Sequence, residues 1–139
     1  MLSDTVELPE AVPASKRRLL IVDDDPSIVK AINDTFTAST LYDCHIAASG
    51  DEALDALEAF HPNVVILDAI LPGINGFEVC RKIKTGPRTR HIRVVMISGF
   101  LDETNRNIVR TCGADDVVLK PFSIQFLRQR IETLMDRKK

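Results

Sequence analysis

Four short apolar runs in this 139-residue chain end in polar residues that can do chemistry. LLIVDDD closes on Asp23, Asp24 and Asp25, and VVILD closes on Asp68. VVMIS closes on Ser98, followed by Gly99, and VVLK closes on Lys120, followed by Pro121. A carboxylate at the end of a buried run is costly unless something compensates its charge. Clustered carboxylates also raise one another's pKa. A divalent cation relieves that repulsion, and an all-oxygen donor set suits Mg²⁺, which keeps several waters and takes one or two carboxylates. A lysine and a hydroxyl facing the same point add donors for an anion. Cation, ammonium and hydroxyl together can hold a phosphoryl group, and a carboxylate in their midst can be the nucleophile that receives it.

Each residue also has a plainer reading. Asp25 stands directly before Pro26 and a periodic apolar stretch, so it reads as a helix cap rather than a ligand. A lone aspartate after a strand usually serves a turn, Ser98 alone carries no signal, and Lys120 could be surface charge. The plainer readings account poorly for all of these residues falling at strand ends in one chain.

The elements that must position them alternate along the sequence. Five runs read as strands: LLIVD (19–23), CHIAA (44–48), VVILD (64–68), RVVMIS (93–98) and DVVLK (116–120). They are short, rich in β-branched residues and leucine, and nearly continuous, as expected of strands covered on both faces. Between them lie stretches of helical period. Ile28, Ile32 and Phe36 follow the Asp25–Pro26 start. Ser49 and Glu52 stand at capping-box spacing ahead of Leu54 and Leu57. Asn75 and Glu78 open a third helix with Phe77, Cys80 and Ile83 on one face. A fourth, about 102–112, carries Ile108, Val109 and Cys112, with Gly113 at the C′ position. The fifth, about 123–136, presents Leu127, Ile131, Leu134 and Met135. A fivefold strand–helix alternation predicts an α/β fold, a doubly wound (βα)5 parallel sheet with helices on both faces. Five strands are too few to close a barrel. In an open sheet of this kind the site lies at the carboxyl ends of the strands, where the polar residues fall.

Bulk properties narrow the function classes. Apolar residues make up 45% and charged residues 27%, and the formal net charge is −2. This gives no electrostatic reason to expect nucleic acid or an anionic membrane as a direct partner. No apolar run approaches the roughly 18 residues that span a bilayer, and the first residues lack a secretory core, so a cytoplasmic protein is expected. Cys44, Cys80 and Cys112 form no CxxC pair and read as buried free thiols. His45, His61 and His91 have no ligand spacing. The basic cluster Arg81, Lys82, Lys84, Arg88, Arg90 and Arg93 has no interleaved aromatics and reads as a solvated face. Residues 1–16 read as a flexible N-terminal arm, 17–137 as one domain and 138–139 as a C-terminal tail.

LLIVDDDP, VVILDAILPGINGFE, VVMISG and GADDVVLKPF closely resemble, in order and spacing, the receiver domain of two-component response regulators. The resemblance covers about residues 18 to 137. It implies a flavodoxin-like sheet in the order 2-1-3-4-5, as in single-domain chemotaxis regulators. It further implies that Asp68 accepts a phosphoryl group from a sensor histidine kinase or a histidine phosphotransfer protein. By the same resemblance, Asp24 and Asp68 would bind Mg²⁺ (Mn²⁺ as a substitute) directly, with the backbone carbonyl of Ile70, and Asp23 through a bound water. Lys120 would pair with the phosphoryl oxygens, Ser98 would hydrogen-bond one of them, and the backbone at Ala69 and Gly99 would contact phosphate. Phe100 and Val117 fall in the switch region. Family members commonly carry an aromatic where Val117 stands, so coupling of Ser98 to a rotating ring is not expected. Ile70 and Phe100 flank the pocket and are apolar, which predicts slow attack by water.

These features predict a phosphorylation-controlled switch that catalyses only its own phosphorylation and dephosphorylation. Output would run to a partner protein, of unspecified identity, at the surface of the fourth helix, fifth strand and fifth helix. A phosphorelay intermediate and the receiver segment of a longer regulator share the same chemistry. An aspartyl-phosphate phosphohydrolase would need a second aspartate two residues after the first, where this chain has Ile70.

Overall fold

The computed structural model describes residues 16–99 and 103–136, with side chains left out for 103–106. The elements are β1 (Arg17–Val22), α1 (Pro26–Thr37), β2 (Tyr42–Ala47), α2 (Gly50–Phe60), β3 (Val64–Asp68), α3 (Gly76–Thr85), β4 (Arg93–Ser98), α4 (Glu103–Cys112), β5 (Asp116–Leu119) and α5 (Ile124–Asp136). All strand pairs are parallel and the sheet order is β2-β1-β3-β4-β5. This is the predicted doubly wound architecture. The predicted arm (apart from Lys16), Arg137, the tail and Phe100 lie outside the described residues.

Successive side chains of a strand point to opposite faces, and the three inner strands use both. Leu20 and Val22, Val65 and Leu67, and Val94 and Met96 pack with Ala53, Leu57, Val79, Cys80, Ile83 and Cys112 under α2, α3 and α4. Leu19 and Ile21, Val64 and Ile66, and Val95 and Ile97 pack with Val29, Ile32, Phe36, Leu127, Ile131 and Leu134 under α1 and α5. Burying each such side chain contributes roughly 1.5–3 kcal/mol, so both layers hold the inner strands firmly. The edge strands differ from expectation. β2 starts at Tyr42 rather than Cys44, and leaves Ile46 exposed and Cys44 only half-buried. Only one neighbouring strand shields an edge, so a run of apolar residues there does not imply full cover on both faces.

Caps set where the helices begin. Asp25 accepts the Ser27 N–H at 2.9 Å with Pro26 in the first turn. Ser49 accepts the Glu52 N–H at 3.1 Å, and the Glu52 carboxylate reaches back to the Ala48 N–H at 2.9 Å. Asn75 accepts the Glu78 N–H at 2.9 Å. Ser123, outside the predicted caps, accepts the Phe126 N–H at 3.0 Å and opens α5. At the other end of the sheet, Asp115 joins α3 to β4. It pairs with Lys84 at 2.9 Å and accepts the Val94 N–H at 2.8 Å, while Lys84 also donates to the Ile92 carbonyl at 2.8 Å. No helix among the described residues is long and apolar enough to cross a membrane.

The LPGING segment between β3 and α3 depends on two glycines. Gly73 has φ +74°, the left-handed region that side chains disfavour. Gly76 donates its N–H to the Ala69 carbonyl at 3.0 Å, and a Cβ there would overlap the carbonyl oxygen of Asp68 itself. The first turn of α3 thus sits directly on the backbone of Asp68. Because the obstruction is backbone rather than a pliable side chain, Gly76→Ala is expected to cost at least the roughly 1–3 kcal/mol of an overpacked core site. Thermal denaturation should show a clear fall in melting temperature, whereas Gly99→Ala, where a Cβ meets open space, should melt like the parent.

Candidate functional site

The strand register brings the polar ends together. Val22 pairs with Leu67 and Asp68 with Ile97, which sets Asp23 beside Asp68 one step beyond β1. Ser98 pairs with Leu119, and the Lys120 N–H donates to the Ser98 carbonyl at 2.8 Å. Asp23, Asp68 and Ser98 are the buried polar residues of the described chain. Asp23, Asp24 and Asp68 each offer an oxygen within 4.8 Å of the others, with Asp24 the exposed member.

Lys120 lies against this group. Its ammonium is 3.2 Å from Asp68 Oδ2 and 3.7 Å from Asp23 Oδ2. Partial burial alone would depress its pKa, but the Asp68 and Asp23 carboxylates outweigh burial and hold it above the usual lysine value. One lysine does not balance three carboxylates. Asp23 shows the deficit: its Oδ1 accepts the Asp25 N–H at 2.9 Å, while its Oδ2 is buried with no hydrogen-bond partner. Burial raises the Asp23 acid, the Asp25 N–H opposes this, and the Asp68 charge raises it further against Lys120. The result is about 6, up from 3.8. An unsatisfied buried carboxylate oxygen costs free energy, and here it faces two further carboxylates. An all-oxygen set with a surplus of negative charge and one open, solvent-facing side fits a hard divalent cation.

The remaining predicted residues fall as follows. Asp25 is the helix cap, exposed, and outside the acidic trio. Gly99 lies at the end of β4 and is exposed. The Ala69 N–H donates to the Ile97 carbonyl at 2.9 Å, while the Ile70 N–H donates to Asp68 Oδ1 at 3.1 Å. The amide directed at the Asp68 carboxylate is that of Ile70. The Ile70 side chain is 73% exposed beside the site. Val117 is half-buried and packs against the α2/α3/α4 side of the core. The Lys120–Pro121 peptide bond is cis. Phe100 lies outside the described residues.

The profile of the response regulator receiver domain matches residues 19–132. The chain belongs to this family. Among solved structures, a CheY-like receiver domain protein from Methanospirillum hungatei superposes with a TM-score of 0.81 at 28% identity, covering 88% of this chain and 95% of that one. Among full-length relatives, the DNA-binding response regulator MtrA of Mycolicibacterium smegmatis is 32% identical over 88% of this chain and 52% of its own length. The response regulator PleD of Caulobacter vibrioides is 36% identical over 84% of this chain and 26% of its own. The receiver thus spans about half or less of these longer relatives.

The Asp23 acid sets a pH dependence. Its folded pKa of about 6 lies above the 3.8 of an ordinary aspartate, so between these values the folded state binds the extra proton. Stability from this group is complete below about 3.8 and declines as pH rises to about 6. Metal-free protein should therefore lose melting temperature across that window more steeply than Asp23→Asn, as followed by circular dichroism. Added Mg²⁺ should raise the melting temperature more at pH 7 than at pH 5, and Asp23→Asn should flatten that difference.

Proposed function

We propose that this receiver is a phosphorylation-controlled switch with Asp68 as phosphoacceptor. The observation that carries the reading is the Asp68 carboxylate, buried, 3.2 Å from the Lys120 ammonium and beside the orphaned oxygen of Asp23. The donor is a phosphohistidine on a sensor kinase or a phosphotransfer protein. An Asp68 carboxylate oxygen forms the new bond to phosphorus as the phosphorus–nitrogen bond to the donor imidazole breaks, and the imidazole leaves with the electron pair. Mg²⁺, held by Asp24, Asp68 and the Ile70 carbonyl, and by Asp23 through water, would neutralise the carboxylates and the incoming phosphoryl oxygens. Lys120 then turns from the Asp68 carboxylate to the phosphoryl oxygens, and Ser98 donates a hydrogen bond to one of them. The Ile70 N–H, already directed at Asp68, supplies a backbone donor beside Gly99.

The reading includes turnover of no external substrate. The position that would hold a general acid in a phosphohydrolase is Ile70, an apolar side chain. Ile70 instead shields the aspartyl phosphate from water. Output runs through the α4–β5–α5 surface, where Leu119 and Phe126 stand exposed.

With Mg²⁺ and a small phosphodonor such as acetyl phosphate, the protein should take up one phosphoryl group per chain, read by intact mass. Asp68→Asn should reduce uptake to background, and stoichiometric labelling of that variant, or sustained turnover of the donor, would overturn the assignment. Ile70→Asn should shorten the lifetime of the phosphorylated form several-fold. An unchanged decay would remove Ile70 from that role.

A further inference from the structure

Two of the three cysteines meet in the fold, although they are 32 positions apart in sequence. Cys80 projects from α3 and Cys112 is the last residue of α4. Both belong to the same core layer, and neither exposes more than 1% of its surface. The Cys80 sulfur is 3.4 Å from the Cys112 carbonyl oxygen, and the Cys112 thiol donates to the Val109 carbonyl at 3.2 Å. The two sulfurs also interact with each other. Burial and their mutual contact couple the two thiols. Once either thiol is deprotonated it can attack an oxidant, with the other placed to resolve it. Cys44 packs with the α1/α5 layer on the other side of the sheet. It cannot join either partner without crossing the strands.

We propose that Cys80 and Cys112 are a modification site, closing into a reversible intramolecular disulfide with a hydroperoxide as oxidant. One of the two sulfurs, deprotonated to its thiolate, attacks the peroxide, the oxygen–oxygen bond breaks, and an alcohol or water leaves as the sulfur becomes a sulfenic acid. The other sulfur then displaces the hydroxyl as water. Two thiols lose two electrons and two protons, and the peroxide takes them up.

Burial slows ordinary reagents, but the site needs only a local opening. Cys112 ends its helix, Arg110 and Thr111 before it are exposed, and Gly113 after it sits at φ +89°. Access to the sulfur requires lifting that last turn from the core layer it shares with Val94 and Met96. Once formed, the bond fastens the end of α4 to α3 and restrains an element of the proposed output surface.

The test uses the reduced full chain, exposed to hydrogen peroxide and then digested without reductant. The expected result is loss of two hydrogens from the intact mass, a cross-link between the peptides bearing Cys80 and Cys112, and reversal by dithiothreitol. Cys44→Ser should retain the cross-link and Asp68→Asn should form it equally well, which separates this site from the phosphoacceptor reading. Recovery of both Cys80 and Cys112 as free thiols after Cys44 has been fully oxidised would overturn the proposal. Cross-links running through Cys44 in place of the pair would do the same.

Discussion

The organising constraint is one buried carboxylate whose charge the fold cannot fully offset. Asp68 ends a strand in which every residue is buried, and Asp23 lies beside it with a buried oxygen that accepts no hydrogen bond. In water these carboxylates would be solvated and indifferent to each other. At the edge of a dense core, desolvation penalises each charge and strengthens the repulsion between them. Lys120 offsets part of this, and the remainder leaves the site selective for positive charge and responsive to whatever neutralises it.

The rest of the structure serves to keep that arrangement from relaxing. Alternate residues of β1, β3 and β4 are fixed in two separate core layers, so the strand ends cannot slip in register without moving a whole apolar set to the wrong face. Gly76 lets the start of α3 sit directly against the Asp68 backbone, which fixes the strand end that carries the carboxylate. Far from the site, Asp115 ties Lys84 of α3 to the start of β4. Rigidity below and a charge deficit above are two aspects of the same design.

The sequence made most of this readable because the information is local in the inner elements. Continuous apolar runs marked β1, β3 and β4, cap residues marked the starts of α1, α2 and α3, and polar residues at strand ends marked the site. What it hid was set by tertiary surroundings. The exposure of β2 follows from its edge position, which CHIAA does not encode. The direction of the Ile70 amide toward the Asp68 carboxylate follows from the backbone just past the β3–β4 ladder. The meeting of Cys80 with Cys112 follows from the packing of α3 on α4, while their separation in sequence suggested unrelated thiols.

The proposed switch must carry its signal without a rotating aromatic ring, since Val117 is short, branched and half-buried against the core. The backbone offers another route. Ser98 passes its carbonyl to the Lys120 N–H, so the hydroxyl and the ammonium that would answer a phosphoryl group lie on adjacent strands joined by that bond. Drawing Ser98 and Lys120 toward a new anion therefore moves the ends of β4 and β5 together. Those two strand ends precede α4 and α5, and the exposed Leu119 and Phe126 lie on β5 and α5. A charge change at Asp68 can thus reach the outer face through main-chain displacement. On this view the aliphatic residue at the usual switch position moves the burden of signalling to the strand termini, the same place where the unbalanced charge resides.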